Sequence, residues 1–155
     1  SYLLCVIDSY SCLAWAELIH DIKSLTAMFT ALKSINFLNV RYGIKFEEML
    51  SDNGTELSSR SKKSRHDHPF ERILIEMGIK HRYTQPYCPQ TNGKVERFWR
   101  TLNEDLITGT TFESFEDFKN ELQKYLFYYN EHRPHQTLKG DSPKRFLEKN
   151  CQRIT

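Results

Sequence analysis

Apolar positions along this chain come in short blocks, and their spacing changes from block to block. Residues 2–8 (YLLCVID) are a nearly unbroken apolar run, and residues 13–19 are a second run with mixed alternation. Only Ser9-Tyr10-Ser11-Cys12 separates them, which predicts a hairpin. From Ile22 the period lengthens. Ile22, Leu25, Phe29, Leu32 and Ile35 recur three or four apart, predicting a helix with this apolar stripe that ends before Gly43. Residues 46–50 then read as a strand running into the turn signal Ser51-Asp52-Asn53-Gly54.

Residues 57–68 have almost no apolar content and predict a mobile loop. Pro69 suits the first turn of a helix through Ile73, Leu74 and Met77 that stops at Gly78. Residues 79–83 predict a short strand, and 84–93, with Pro86, Pro89 and Asn92-Gly93, a loop. A helix over 94–107 follows, with Val95, Phe98, Trp99, Leu102 and Leu106 as its stripe. Ser114 and Asp117 are spaced as a capping box for another helix, whose buried face is Phe115, Phe118, Leu122, Tyr125, Leu126 and Tyr129. Ser142-Pro143 opens a last short helix. Strands first, then strands alternating with helices, predict an α/β fold, a mixed sheet covered by helices, with no internal repeat and no second domain.

The 155 residues suit one domain with a core of its own. No run approaches the ~18 consecutive apolar residues of a membrane span, and no signal peptide opens the chain. The chain begins without methionine, at Ser1, inside an apolar run, and is expected to be a fragment or a processed product. Cys5, Cys12, Cys88 and Cys151 form no CxxC pair, which argues against a disulfide framework or thiolate zinc site and favours a reducing, intracellular compartment. His66 and His68, and His132 and His135, make no metal-ligand pattern and are expected on the polar surface.

Charge adds a location. Residues 1–57 carry 4 Lys/Arg against 7 Asp/Glu, residues 58–100 carry 10 against 4, and residues 101–155 carry 8 against 9. The middle third is therefore a basic zone. It reads either as a solvated loop with a charged helix face or as a surface that tracks phosphates by displacing counterions.

Two acidic residues stand where packing does not ask for them. Asp52 follows the apolar end of a strand, and Glu96 lies in the first turn of a helix after a Pro/Gly loop. Singly, each has an ordinary explanation, as a turn former and as a complement to the helix dipole. Together they offer the hard oxygen ligands that a Mg²⁺ or Mn²⁺ pair requires, with space left for phosphate oxygens. In two-metal phosphoryl transfer the ions lie about 3.5–4 Å apart and serve the attacking and leaving oxygens.

At these residues the chain resembles a known family. Ser51-Asp52-Asn53-Gly54-Thr55-Glu56-Leu57, Gly78-Ile79-Lys80-His81 and Tyr87-Cys88-Pro89-Gln90-Thr91-Asn92-Gly93-Lys94-Val95-Glu96-Arg97-Phe98 are similar to the catalytic core of retroviral-type integrases. Bacterial insertion-sequence transposases share that core. Tyr128-Tyr129-Asn130-Glu131-His132-Arg133-Pro134-His135, followed by Ser142-Pro143, resembles its tail in those transposases. The resemblance spans residues 2–147, nearly the whole chain.

It implies a ribonuclease H-like fold and two Mg²⁺ (or Mn²⁺) ions held by an Asp, Asp, Glu triad, with Asp52 second and Glu96 third. It further implies a polynucleotidyl transferase that cleaves double-stranded DNA at element ends and joins the freed 3′-hydroxyl to target DNA. Lys94, Arg97 and Arg100 on the same helix, with Asn92, Lys62 and Lys63, are the implied DNA contacts. A like subunit is the implied partner, and the bacterial cytoplasm, at the nucleoid, the implied location.

Two departures qualify this. The 43 residues between Asp52 and Glu96 exceed the family's usual gap, and the excess fits a flexible basic insertion over 58–68. The opening segment, Tyr2-Leu3-Leu4-Cys5-Val6-Ile7-Asp8-Ser9-Tyr10-Ser11, resembles the family's second strand, whose aspartate is not a metal ligand. Residues 1–155 would then be an N-terminally incomplete core lacking the first, central strand and its Asp. Either the parent protein continues upstream of Ser1, or residues 2–8 close against 46–50. The alternatives are a catalytically dead remnant that only binds DNA and a ribonuclease H-type nuclease.

Overall fold

The computed structural model describes residues 1–51, 68–84 and 93–151. The element order is β1 (Tyr2–Ile7), β2 (Ala14–Ile19), α1 (Ser24–Tyr42), β3 (Glu48–Ser51), α2 (Pro69–Glu76), β4 (Lys80–Tyr83), α3 (Gly93–Leu102), a π-helical turn (Asn103–Ile107), α4 (Phe115–Glu131), a 3₁₀ turn (Gln136–Leu138) and α5 (Pro143–Cys151). The elements expected over 2–51, 69–83 and 94–151 are thus present within a residue or two. The loop expected over 57–68 and the insertion expected over 58–68 lie outside the described residues, except for His68.

β1 and β2 pair with each other. The Asp8 N–H donates to the Leu13 carbonyl and the Cys12 N–H to the Asp8 carbonyl. Parallel strands need a crossover of a dozen residues, so this short connection makes the pair an antiparallel hairpin. β2 is buried at all six positions, whereas β1, equally apolar in sequence, has no buried position. β3 and β4 form a second, parallel pair with Glu48 opposite Lys80 and Ser51 opposite Tyr83. Among the described residues the strands thus make two two-stranded sheets, and β1 has not closed against β3.

The chain divides into two compact units. The first comprises residues 1–4 and 19–93. Within it α1 ends at Gly43, whose positive φ of 73° forms the left-handed cap that glycine adopts without strain. The buried face of α1 corrects the sequence reading. Ala27, Met28, Ala31, Ser34, Ile35 and Leu38 are buried, while Leu25 is 62% and Phe29 60% exposed. Of the expected stripe Ile35 is buried and Leu32 half-buried, so the buried face is rotated from it toward Ala27, Ala31 and Leu38. Phe70 and Leu74 of α2, and Ile79 before β4, complete the core of this unit with Ile44.

The second unit comprises residues 5–18 and 94–155. Its core holds Leu13, Trp15, Phe98, Leu102, Leu122, Leu126 and Tyr129. Asn130 of α4 is wholly buried and serves as a strand mimic: its amide donates to the Ala14 carbonyl at 2.8 Å and accepts from the Ala14 N–H at 2.9 Å. Both backbone groups of a buried strand residue are satisfied that way. Ser114 caps α4 by accepting from the Asp117 N–H at 3.0 Å, as the spacing predicts. In the α3 stripe Phe98 and Leu102 are buried, while Trp99 is only half-buried. α3 runs into the π turn, in which the Thr108 N–H reaches back five residues to the Asn103 carbonyl at 2.8 Å.

Candidate metal centre and nucleic-acid interface

Glu96 sits in the first turn of α3, exposed to solvent, and makes no hydrogen bond or ion pair with any other described residue. Arg100 lies one turn further on and is also exposed. A helix advances about 100° per residue. Glu96 and Arg100 therefore lie about 40° apart around α3, and Arg97 lies about 60° from both Arg100 and Lys94. Arg97 thus stands between the two other cations expected to contact DNA, with Lys94 on its one side and Arg100 on the other. Asp52, Asn92, Lys62 and Lys63 lie outside the described residues.

Asp8 has a local occupation. One carboxylate oxygen accepts from the Ser11 N–H at 2.9 Å and from the Ser11 hydroxyl at 2.5 Å, closing the β1–β2 turn. Cys12, just after it, adopts a positive φ of 64°.

The Lys94 face of α3 borders a cavity of about 530 Å³ inside the second unit. Lys94, Arg97 and Thr101 line it from α3, and Arg133, His135 and Gln136 from the chain after α4, above Phe98 and Tyr129. None of its described lining residues is acidic. Lys94 Nζ lies 3.6 Å from Cys12 Sγ, and Arg97 makes no hydrogen bond or ion pair with a described residue.

Arg133 is anchored. Its Nε donates to Asp105 Oδ2 at 2.7 Å, and the same oxygen accepts from the Tyr125 hydroxyl at 2.7 Å. Partial burial raises the Asp105 carboxyl, but the hydrogen bonds from Arg133 and Tyr125 outweigh it and hold its pKa below the usual carboxylate value. His135, expected on the surface, is buried. Its Nε2 lies 3.2 Å from the Tyr129 carbonyl, and its ring meets Tyr129 edge-on at 4.6 Å. Burial lowers its pKa, and the neighbouring Arg133 lowers it further, against the opposing pull of the Tyr129 carbonyl.

The first unit holds a second polar centre that sequence reasoning missed. Glu71 of α2 is buried, and its Oε1 accepts from His81 Nδ1 at 2.6 Å and from the Tyr83 hydroxyl. His81 Nε2 lies 2.6 Å from the Ser51 hydroxyl. The chain Ser51–His81–Glu71–Tyr83 ties the end of β3 to β4 and α2. No local pattern announces it, because its members are spread over 33 residues of sequence. Among the described residues no three His, Cys, Asp or Glu side chains come together as a metal site. No described helix is long and apolar enough to cross a membrane.

The arrangement of elements is that of a ribonuclease H-like core. The catalytic core of BIV integrase aligns with 99% of this chain and 90% of its own at a TM-score of 0.69, with 23% identity. The HTLV-2 integrase catalytic core, solved in complex with magnesium, aligns with 94% of this chain and 83% of its own at a TM-score of 0.57, with 18% identity.

Residues 77–143 match the family model described as integrase core domain. The transposase of insertion sequence element IS904 from Lactococcus lactis is 32% identical over 82 residues, 52% of this chain and 32% of that protein. Residues 77–143 are thus similar to integrase core domains, and the fold of the chain is that of integrase catalytic cores. It spans 41% or less of the length of the first curated relatives it matches.

Proposed function

We propose that this chain is the catalytic core of a transposase or integrase that cuts DNA at element ends and transfers the new 3′-end to target DNA. In the first step a water oxygen bonds to the scissile phosphorus, and the 3′-oxygen leaves and takes up a proton. In the second that 3′-hydroxyl attacks a target phosphodiester and displaces the target's own 3′-oxygen. The observation that carries the reading is Glu96, an exposed carboxylate with no partner among the described residues, presented by the first turn of α3 within the Pro-Gln-Thr-Asn-Gly-Lys-Val-Glu-Arg string.

The donor chemistry of Glu96 fits a divalent metal. Hard cations such as Mg²⁺ take carboxylate oxygens, and a carboxylate already spent on an internal ion pair would be a poor ligand. Glu96 and Asp52 would hold the metal, which when bound supplies charge stabilisation at the attacking and leaving oxygens. The HTLV-2 core's magnesium supports the same choice of ion. Arg100, on the Glu96 face, is suited to neutralise a phosphate beside that carboxylate. The substrate is double-stranded DNA and the working form an oligomer of like subunits, in the cytoplasm. Asp8, engaged in its turn by Ser11, is not assigned to the metal.

Glu96→Gln in the full-length protein tests this reading, because it preserves shape and removes the charge. Metal-dependent cleavage of an end-containing duplex should fall by at least about a thousandfold, by analogy with loss of a principal electrostatic group, while the thermal midpoint stays unchanged. Undiminished cleavage would make Glu96 a helix-start residue and overturn the assignment.

A further inference from the structure

The polar chain of the first unit runs from α2 to Ser51, the last residue of β3, and Asp52 follows directly in sequence. We propose that Glu71 and His81 are positioning residues for the metal centre, holding Ser51 so that Asp52 is presented to a divalent cation. The inference rests on the reading of Asp52 as a metal ligand.

The strand pair puts the parts on one face. Met49 stands opposite His81 and Ser51 opposite Tyr83, and side chains two apart on a strand point the same way. His81 Nε2 thus meets the Ser51 hydroxyl of the neighbouring strand at 2.6 Å. From α2, one Glu71 carboxylate oxygen takes His81 Nδ1 at 2.6 Å and the Tyr83 hydroxyl. An ionised carboxylate only accepts, so Nδ1 carries the proton, and in the neutral ring Nε2 is left to accept from Ser51. Glu71 therefore sets the direction of the whole chain.

Little in this arrangement can turn. The His81 side chain is 2% exposed, and its ring meets Phe70 edge-on at 5.6 Å and lies against Tyr83 at 4.3 Å. The Thr84 N–H donates to the Ser51 carbonyl at 2.9 Å, so Ser51 is held by its backbone as well as its side chain. For stability alone, well-packed apolar side chains would serve as well as a buried charged pair. What the directional chain adds is position. Mg²⁺ demands near-ideal ligand geometry, and a working site needs its groups held to within about 0.5 Å.

Calorimetric titration of the full-length protein with Mn²⁺ tests this, well below the thermal midpoint of every variant. Ser51→Ala removes the last bond of the chain and leaves Glu71, His81 and Tyr83 together. It should bind Mn²⁺ about tenfold more weakly, a cost typical of losing a group that orients a metal ligand. Ser51→Thr returns the hydroxyl and should restore wild-type affinity. His81→Phe keeps a ring against Phe70 and removes both nitrogens. It should match Ser51→Ala, with no further loss when the two are combined, because both break one path. If His81→Phe does not fold, the two Ser51 variants decide.

A merely structural brace predicts a lower thermal midpoint with Mn²⁺ affinity unchanged. That result, additive losses in the double variant, or no recovery in Ser51→Thr would each overturn the proposal. Glu96→Gln separates it from the reading beneath it. No saturable Mn²⁺ binding in wild type, or binding that Glu96→Gln leaves intact, would remove the metal centre itself. Binding lost in Glu96→Gln but kept in Ser51→Ala would remove the positioning role alone.

Discussion

The two polar centres of this chain spend their charge in opposite ways. In the first unit, the buried Glu71 carboxylate is consumed by His81 and Tyr83, and His81 passes the connection on to Ser51. In the second, Lys94 and Arg97 face a cavity with no carboxylate among its described lining residues, and of its described cations Arg133 alone is paired with a carboxylate, that of Asp105. A buried charge that is fully partnered fixes geometry, because leaving it unpaired costs more than its pair returns. A charge left open toward solvent contributes little to folding and remains available to a ligand. The first centre thus braces the strand that leads into Asp52, and the second is a place where something can bind.

The sharpest way to break this contrast is through the cavity floor. Phe98 is 2% exposed, and Phe98→Ala should cost about 3–5 kcal/mol, read by denaturant unfolding of the whole chain. A loss below about 1 kcal/mol would mean that the floor collapses freely and that the pocket is not a fixed shape. A smaller effect is expected from Glu71→Gln, which keeps the size of the side chain but removes the charged acceptor shared by His81 and Tyr83. It should destabilise by about 1–3 kcal/mol in the same measurement. No change would show that the bracing is decorative.

The smallest effect is one of pH. Folding lowers the pKa of His135 below its ordinary value of about 6.5. The unfolded chain therefore takes up a proton before the folded one does. The stabilising contribution of neutral His135 is complete above the unfolded pKa and is lost as pH falls through the folded one. The thermal midpoint of His135→Gln should accordingly fall less steeply between pH 7 and 5 than that of wild type. Parallel profiles would show that His135 does not report on the cavity.

Much of this was legible beforehand. The hairpin, the Pro69 start, the Ser114 cap and the catalytic-core motifs all depend on neighbours in sequence, where turn chemistry and period operate directly. The buried face of α1 was not legible, since Leu25–Phe29 and Ala27–Ala31 repeat at one period and only tertiary contact chooses between them. The same limit hid the burial of His135, which lies in a polar stretch and packs edge-on against Tyr129 of α4. That Lys94 and Arg97 line a cavity and Arg100 does not was not legible either, because it depends on the chain after α4.

The π turn at Asn103–Ile107 gives this unit an unusual sensitivity to length. A widened turn holds one residue more than its α-helical equivalent, and Asp105, the anchor of Arg133, rides on it. Each residue gained or lost there swings everything beyond it by roughly a quarter turn or more about the axis. Most single replacements at its exposed positions would leave Arg133 where it is, whereas the removal of any one codon would carry the anchor away from its partner. Over this stretch inheritance should therefore guard the count of residues more strictly than their identity.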